Sequence, residues 1–351
     1  MDQSVQTSAT YGEITTQATA WEEALTIVAE RAQELGDLWA HGRFDMVLFT
    51  GCGSTYYLAL AAAALFQELT GVLARGVPAG ELVMYPRAAY PAGGKTLLVA
   101  ISRSAETTET LRAVGSFRQD RQGKVIVVTN YGDRPLAGMG QVTIAIPSGQ
   151  EQSIAQTRSF ASMYVAITAM AAVLAGRKDL WQAMHGLPEC GARLTRQYEP
   201  LAASLGSDLG LDRFYFLGSG PRYGLASEAN LKMKEMSLTH SEPFHFLEFR
   251  HGPKSMAGPT ALVIGLLSDE NRAYEAAVLR DVQALGARSL GLGELAGEQG
   301  QVDVAFVSGV PEAVRNVLYL PVLQMMACYR AVAKGLNPDQ PHNLDAVVRL
   351  G

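Results

Sequence analysis

The sequence predicts an α/β protein made of two related domains, each a parallel, doubly wound sheet with helices on both faces. Three observations predict it. The stretches Asp45–Tyr57 (DMVLFTGCGSTYY) and Asp212–Gly224 (DRFYFLGSGPRYG) repeat one device: an apolar strand, Gly-x-Gly, then a helical run. A second pair, Gln141–Gly149 (QVTIAIPSG) and Gln301–Gly309 (QVDVAFVSG), recurs in the same relative place. Strand patterns also alternate with helical ones through both halves, which calls for parallel strands joined by helical crossovers. Recurrence in one order is the mark of duplication.

The elements follow from the patterns. Residues 1–40 read as a polar start and a helical extension, with Leu25, Val28 and Ala29 at helical spacing over Ala20–Leu35. The first domain, 41–176, has strands at Met46–Thr50, Thr96–Ile101, Lys124–Val128 and Val142–Ile146, and helices such as Leu58–Leu69, Thr107–Arg118 and Ser159–Ala175. Residues 177–207 read as a helical connector broken at Gly186 and Pro188. The second domain, 208–336, repeats the strands at Arg213–Leu217, Ala261–Leu267, Ser289–Leu292 and within Gln301–Gly309, and closes on a helix over Ala313–Lys334. Residues 337–351 form a tail.

Composition narrows the class. Over 351 residues, 48% are apolar and 18% charged, which suits a well-buried globular enzyme and not a disordered chain. A net charge of −5 with no basic run argues against nucleic acid as partner. Cys52, Cys190 and Cys328 are far apart and form no CxxC, as in a reducing compartment. No signal-like core opens the sequence, and its longest apolar runs fall short of the ~20 residues of a membrane span, so the expectation is a cytoplasmic protein with no membrane partner.

The two halves differ in their second loops. After its second strand the first half has Ser102-Arg103-Ser104-Ala105-Glu106-Thr107-Thr108 running into a helix. Small hydroxyls beside free helix N–H groups make a phosphate cradle, and Arg103 adds a cation. A capped helix start with nothing bound is an equal reading of that loop alone. The equivalent loop of the second half, Ser268-Asp269-Glu270-Asn271, carries carboxylates that repel phosphate, so the second half is expected to do something else. Its distinctive stretch is Ala226–Pro253, where Glu228, Lys232 and Glu235 fall on one helical face and Leu225, Ala229 and Met236 on an apolar one. Such an array can hold a carboxylate ready for proton transfer. Spacing alone favours a solvated flank with ion pairs. His251-Gly252-Pro253 reads as a turn from which an imidazole can reach a ligand.

TGCGST, ISRSAETTETL, the KMKE helix and the FRHGP turn together resemble the sugar isomerase (SIS) domain pair found in glucosamine-6-phosphate synthase and in stand-alone phosphosugar isomerases and deaminases. The resemblance runs from about Tyr11 to the end of the chain and implies two flavodoxin-like domains. It places phosphate ligands on Ser54, Thr55, Ser102, Arg103, Ser104 and Thr107, with Arg103 where Gln is usual and Ala105 where Gly is usual. It aligns Glu235 with the carboxylate that moves a proton between C1 and C2, Glu228 with its helix-mate, and Lys232 between them. His251 aligns with a ring-opening histidine delivered by a neighbouring subunit, which implies a homodimer with shared sites. Ile154 and Gln156 fall where the family contacts the sugar; Ser is the commoner residue at the latter.

Two departures matter. The glutamine-hydrolysing domain of the synthase has no counterpart in these residues. The tail keeps DQP and NL, but Asp345 and Ala346 stand where a lysine is expected, which puts a Schiff-base route in doubt. The resemblance therefore implies an amino-sugar-phosphate isomerase or deaminase, glucosamine 6-phosphate becoming fructose 6-phosphate, without cofactor or metal. The RHGPKS turn also occurs in a galactosamine-phosphate branch, and a fructosamine 6-phosphate adduct is a further candidate. A sugar-phosphate sensor would use the same cradle without chemistry. A dinucleotide enzyme lacks the third glycine of its fingerprint, since Tyr56 stands there. A zinc site of His240, His245 and His251 has no usual ligand spacing.

Overall fold

The computed structural model describes residues 5–295 and 302–350. It contains two five-stranded sheets, all of whose pairings are parallel. The first is built from β1 (Met46–Gly51), β2 (Leu73–Pro78), β3 (Thr96–Ser102), β4 (Lys124–Thr129) and β5 (Val142–Ala145), in the order β2-β1-β3-β4-β5. The second is built from β6 (Arg213–Leu217), β7 (His240–Phe244), β8 (Ala261–Leu266), β9 (Arg288–Gly293) and β10 (Val304–Ala305). Its order is β10-β9-β8-β6-β7. Both have the 2-1-3-4-5 strand order of a flavodoxin-like, doubly wound sheet. The expected fold class is present, in two copies.

The central strands explain themselves. β1, β3 and β8 are buried at every position, as apolar runs covered on both faces by crossover helices must be. The edge strands do not. β2 and β7 are the two strands the sequence reading passes over, and each occupies the same edge of its sheet. Both contain proline, Pro78 and Pro243, and neither is a continuous apolar run. An edge strand tolerates such composition because one side of its backbone needs no partner strand. At the opposite edge, Val304–Ala305 is all the strand found within the expected Gln301–Gly309 match, and Gln301 lies outside the described residues.

The chain forms two compact units that interleave along the sequence. One comprises Gln17–Glu151, Arg158–His185 and Asp345–Gly351 and holds the first sheet; the other comprises Met1–Thr16, Gln152–Thr157 and Gly186–Leu344 and holds the second. In the first-sheet unit the helix expected over Ala20–Leu35 is two helices, Gln17–Glu30 and Ala32–Gly42. Arg158–Leu174 packs along Gln17–Glu30 and is buried along most of its length. In the second-sheet unit Leu187–Ser207 packs against Leu320–Ala333, which in turn packs against Pro221–Ser237. The break expected near Gly186 and Pro188 is a short 3-10 turn, Met184–Gly186, before that first helix. No described helix is long and apolar enough to cross a membrane.

Candidate functional site

In the first-sheet unit β1 and β3 are neighbours, so the loops that follow them open at the same end of the sheet. There the strand order reverses, and at such a switch point open α/β sheets take their ligands. Ser54 and Thr55 start the helix after β1; Ser102 ends β3, and Arg103, Ser104 and Thr107 lie in the loop after it. Two glycines shape the first loop. A Cβ on Gly51 would stand 2.4 Å from Thr55 Oγ1, and Gly53 has φ 56°. Thr55 is committed to this turn: its hydroxyl accepts from the Cys52 N–H and donates to the Cys52 carbonyl, both at 2.9 Å.

The second loop is tied by its own hydroxyls. Ser102 Oγ accepts from the Ala105 N–H and Ser104 Oγ from the Glu106 N–H, each at 3.2 Å. Ser102 and Thr107 hydroxyls lie 3.5 Å apart. Ala105 has φ 53°, a left-handed backbone that explains why glycine is usual there.

Arg103 is buried and held from two sides. Nη1 lies 3.7 Å from Glu151, and Nη2 donates to the Ala346 carbonyl at 2.9 Å. The tail also reaches the helix that follows, since the Thr108 N–H donates to the Val348 carbonyl at 3.4 Å. Thus Ala346, at the position where the resemblance expects a lysine, contributes a backbone acceptor to Arg103. Glu151 and the tail are contacts the sequence reading missed. Glu151 also accepts from the N–H and hydroxyl of Ser159, near the start of Arg158–Leu174. An acid just ahead of a long helix was the available signal.

Ile154 and Gln156 lie in Gln152–Thr157, which belongs to the second-sheet unit. The Ile154 N–H donates to the Asp339 carbonyl at 2.9 Å. Glu13 fixes the start of this segment through the Gln152 N–H at 2.6 Å and the Ser153 hydroxyl.

In the same unit Pro221–Ser237 carries Glu228, Lys232 and Glu235. Lys232 Nζ stands 3.3 Å from Glu228 and donates to Glu235 Oε2 at 2.6 Å. The side chains are 0%, 1% and 20% exposed for Glu228, Lys232 and Glu235, so the solvated flank favoured by spacing is overturned. Burial works against the ammonium charge of Lys232, but the two carboxylates outweigh it and raise its pKa. Leu225, Ala229 and Met236 are buried as expected. His251 is exposed, in a turn between Phe246–Phe249 and Pro253–Met256. His245 stacks on Tyr223 at 3.9 Å between ring centroids, and His240 begins β7. Among the described residues no group of three His, Cys, Asp or Glu is placed to hold a metal ion. Burial raises the Cys328 thiol to about 12, consistent with a core residue.

A model of the SIS domain matches residues 45–173 and 211–299, more than half of the chain. The chain belongs to the SIS domain family. Its two SIS segments contain the two sheets' glycine loops. The chain is 26% identical over 341 residues to the glutamine–fructose-6-phosphate aminotransferase (isomerizing) of Methanothermobacter thermautotrophicus, covering 95% of this chain and 54% of that protein. It thus spans about half the length of the curated relatives it matches. Among solved structures, glucosamine-6-phosphate deaminase from Thermotoga maritima superposes with TM-score 0.78 at 26% identity, covering 98% of this chain and 100% of that one. Tagatose-6-phosphate ketose/aldose isomerase from Escherichia coli gives 0.86 over 98% of both chains; at 21% identity this shows the shared SIS fold alone.

Proposed function

We propose that this SIS protein converts an amino-sugar 6-phosphate to a ketose 6-phosphate with release of ammonia, glucosamine 6-phosphate plus water giving fructose 6-phosphate plus ammonia. The observation that carries the reading is Glu235: a carboxylate one-fifth exposed, anchored at 2.6 Å by a buried lysine, on the helix that follows a glycine loop. A base so held keeps its position while one oxygen stays available to solvent or substrate. The full-length match to a stand-alone glucosamine-6-phosphate deaminase supports the choice of leaving group.

In this reading the loop Ser102–Thr107, with Ser54 and Thr55, holds the phosphate, so binding energy remote from the reacting carbons positions them. His251 opens the pyranose ring. Glu235 takes the C2 proton and returns it at C1; the imine left at C2 is then hydrolysed by water. Glu228 and Lys232 position Glu235, and Ile154 and Gln156 contact the sugar. The exposure of His251 suits delivery to a second copy of the chain, so a homodimer with shared sites is part of the proposal.

The Lys232–Glu235 contact also favours a second reading, because at 2.6 Å the ammonium already occupies one carboxylate oxygen: a sensor that binds the sugar phosphate without chemistry. One experiment separates the two. Purified protein and its Glu235→Gln variant are given glucosamine, galactosamine and fructosamine 6-phosphates, and ammonia and ketose are measured. The enzyme reading expects release by the wild type and a loss of roughly 10²–10⁴-fold in the variant, with binding retained. Tight binding with no release from any of the three establishes the sensor.

A further inference from the structure

The switch point of the second sheet is built like that of the first. Gly220 has φ 57° where Gly53 has 56°, and a Cβ on Gly218 would stand 2.4 Å from the Arg222 carbonyl oxygen, as one on Gly51 would from Thr55. Arg222 therefore occupies the place of Thr55. Strand register equates the second loops as well: Leu217 pairs with Gly265 as Thr50 pairs with Ala100, which brings Asp269 to the place of Ser104.

Between these two residues lies a carboxylate from elsewhere in the chain. Glu312 accepts from Arg222 Nη1 at 2.6 Å through one oxygen and from the Asp269 N–H at 2.8 Å through the other. Arg222 is 7% exposed, and its buried Nε has no hydrogen-bond partner among the described residues. Of the two acids that sequence reading counts against an anion here, Glu270 is exposed and Asp269 is turned elsewhere. Asp269 is bound by Arg272 at 3.1 Å and by Arg315. Glu275 accepts from the Ser268 N–H at 2.6 Å and hydroxyl at 2.9 Å, and lies 3.9 Å from Arg222.

We infer that the second sheet carries its own oxyanion site, formed by Arg222 and the Asp269 N–H and occupied by the chain's own Glu312. The ligand class is a small oxyanion offering two acceptor oxygens. A carboxylate fits, as Glu312 does, and so does a phosphate. Nearby Glu275 favours one negative charge over two. A helix-preceding loop at a switch point is a general anion receptor, and duplication supplies it twice; Arg222 adds a cation at a place where the first copy has Thr55. At the equivalent places of the first sheet stand Thr55 and Ser104, which carry hydroxyls instead.

The test is chemical rescue. Glu312→Ala is melted at constant ionic strength in chloride, acetate or phosphate, with the wild type in the same buffers as control for anions bound elsewhere. The expected result is a lowered melting temperature in chloride that rises saturably with acetate or phosphate, beyond any rise in the wild type. Adding Arg222→Gln to Glu312→Ala removes that rise. Rescue by acetate alone assigns the site to carboxylates, and rescue by both assigns it to oxyanions generally. If the alanine variant is not recovered in chloride, the yield of folded protein purified with and without acetate is read instead. Equal behaviour in chloride and in both oxyanions, or rescue that survives Arg222→Gln, overturns the inference.

Discussion

Glu228, Lys232 and Glu235 fall at helical spacing in the sequence, yet spacing does not say which way the face points. Packing turns it inward, and the exposed ion pairs that spacing favours become a buried lysine between two acids. Removing the cation takes from the buried Glu228 carboxyl its partner at 3.3 Å, so Lys232→Met is expected to cost about 3–5 kcal/mol, read as a lowered urea midpoint. Were the face solvated, the change would be near zero. His245 makes the second residue-scale case. Burial lowers its pKa below the ordinary 6.5, with nearby Glu248 opposing. The folded state therefore favours the neutral ring, and the stability this contributes is present above about pH 6.5 and lost as pH falls through the lower folded value. His245→Phe keeps a ring on Tyr223, and its melting temperature should fall less than the wild type's between about pH 6.5 and 5. Equal slopes would remove His245 from the acid response.

At the scale of elements, the glycine loops fix how closely each first helix approaches its strand. Gly51→Ala would force its Cβ to 2.7 Å from the Thr55 backbone carbon, and a cost of about 1–3 kcal/mol follows from such overpacking. Gly115, inside Thr108–Arg121, meets nothing within 4 Å. Gly115→Ala should instead stabilise by roughly 0.5–1 kcal/mol, because alanine restricts the unfolded chain. Thermal melts of both variants test the contrast, and a destabilised Gly115→Ala would contradict it. The central strands were legible from their apolar runs. The strands β2 and β7 were not, because an edge position relaxes the composition a strand needs, and Pro243 sits in a segment that reads as turn-rich. Likewise Asp269 after β8 was legible as a charge, and Arg272 at i+3 as a local partner, whereas its second partner Arg315 and the neighbouring Arg222–Glu312 pair join residues too distant in sequence for a local pattern to find.

For the whole molecule, the proposed sharing of His251 between copies predicts complementation. Glu235→Gln and His251→Ala, each inactive alone, should regain up to roughly a quarter of wild-type activity when mixed and allowed to exchange subunits, since a mixed dimer holds one intact site. No recovery despite exchange, followed by native mass measurement of tagged chains, would place both groups within one copy. Most of the architecture was readable in advance, since two repeats of strand, glycine loop and helix leave few arrangements of a parallel sheet. Candidate site residues were readable as motifs. The group that holds Arg103 was not: Glu151 and the Ala346 carbonyl come from separate segments of the chain.

By itself the sequence determined the number of sheets, their parallel sense and the two glycine loops, because these rest on local periodicity and on backbone angles that glycine adopts freely. Only the tertiary structure decided which segments join which unit, which charges are buried, and which acid fills the second cradle. Those outcomes depend on contacts between residues far apart in the chain, where burial changes the worth of every charge it encloses.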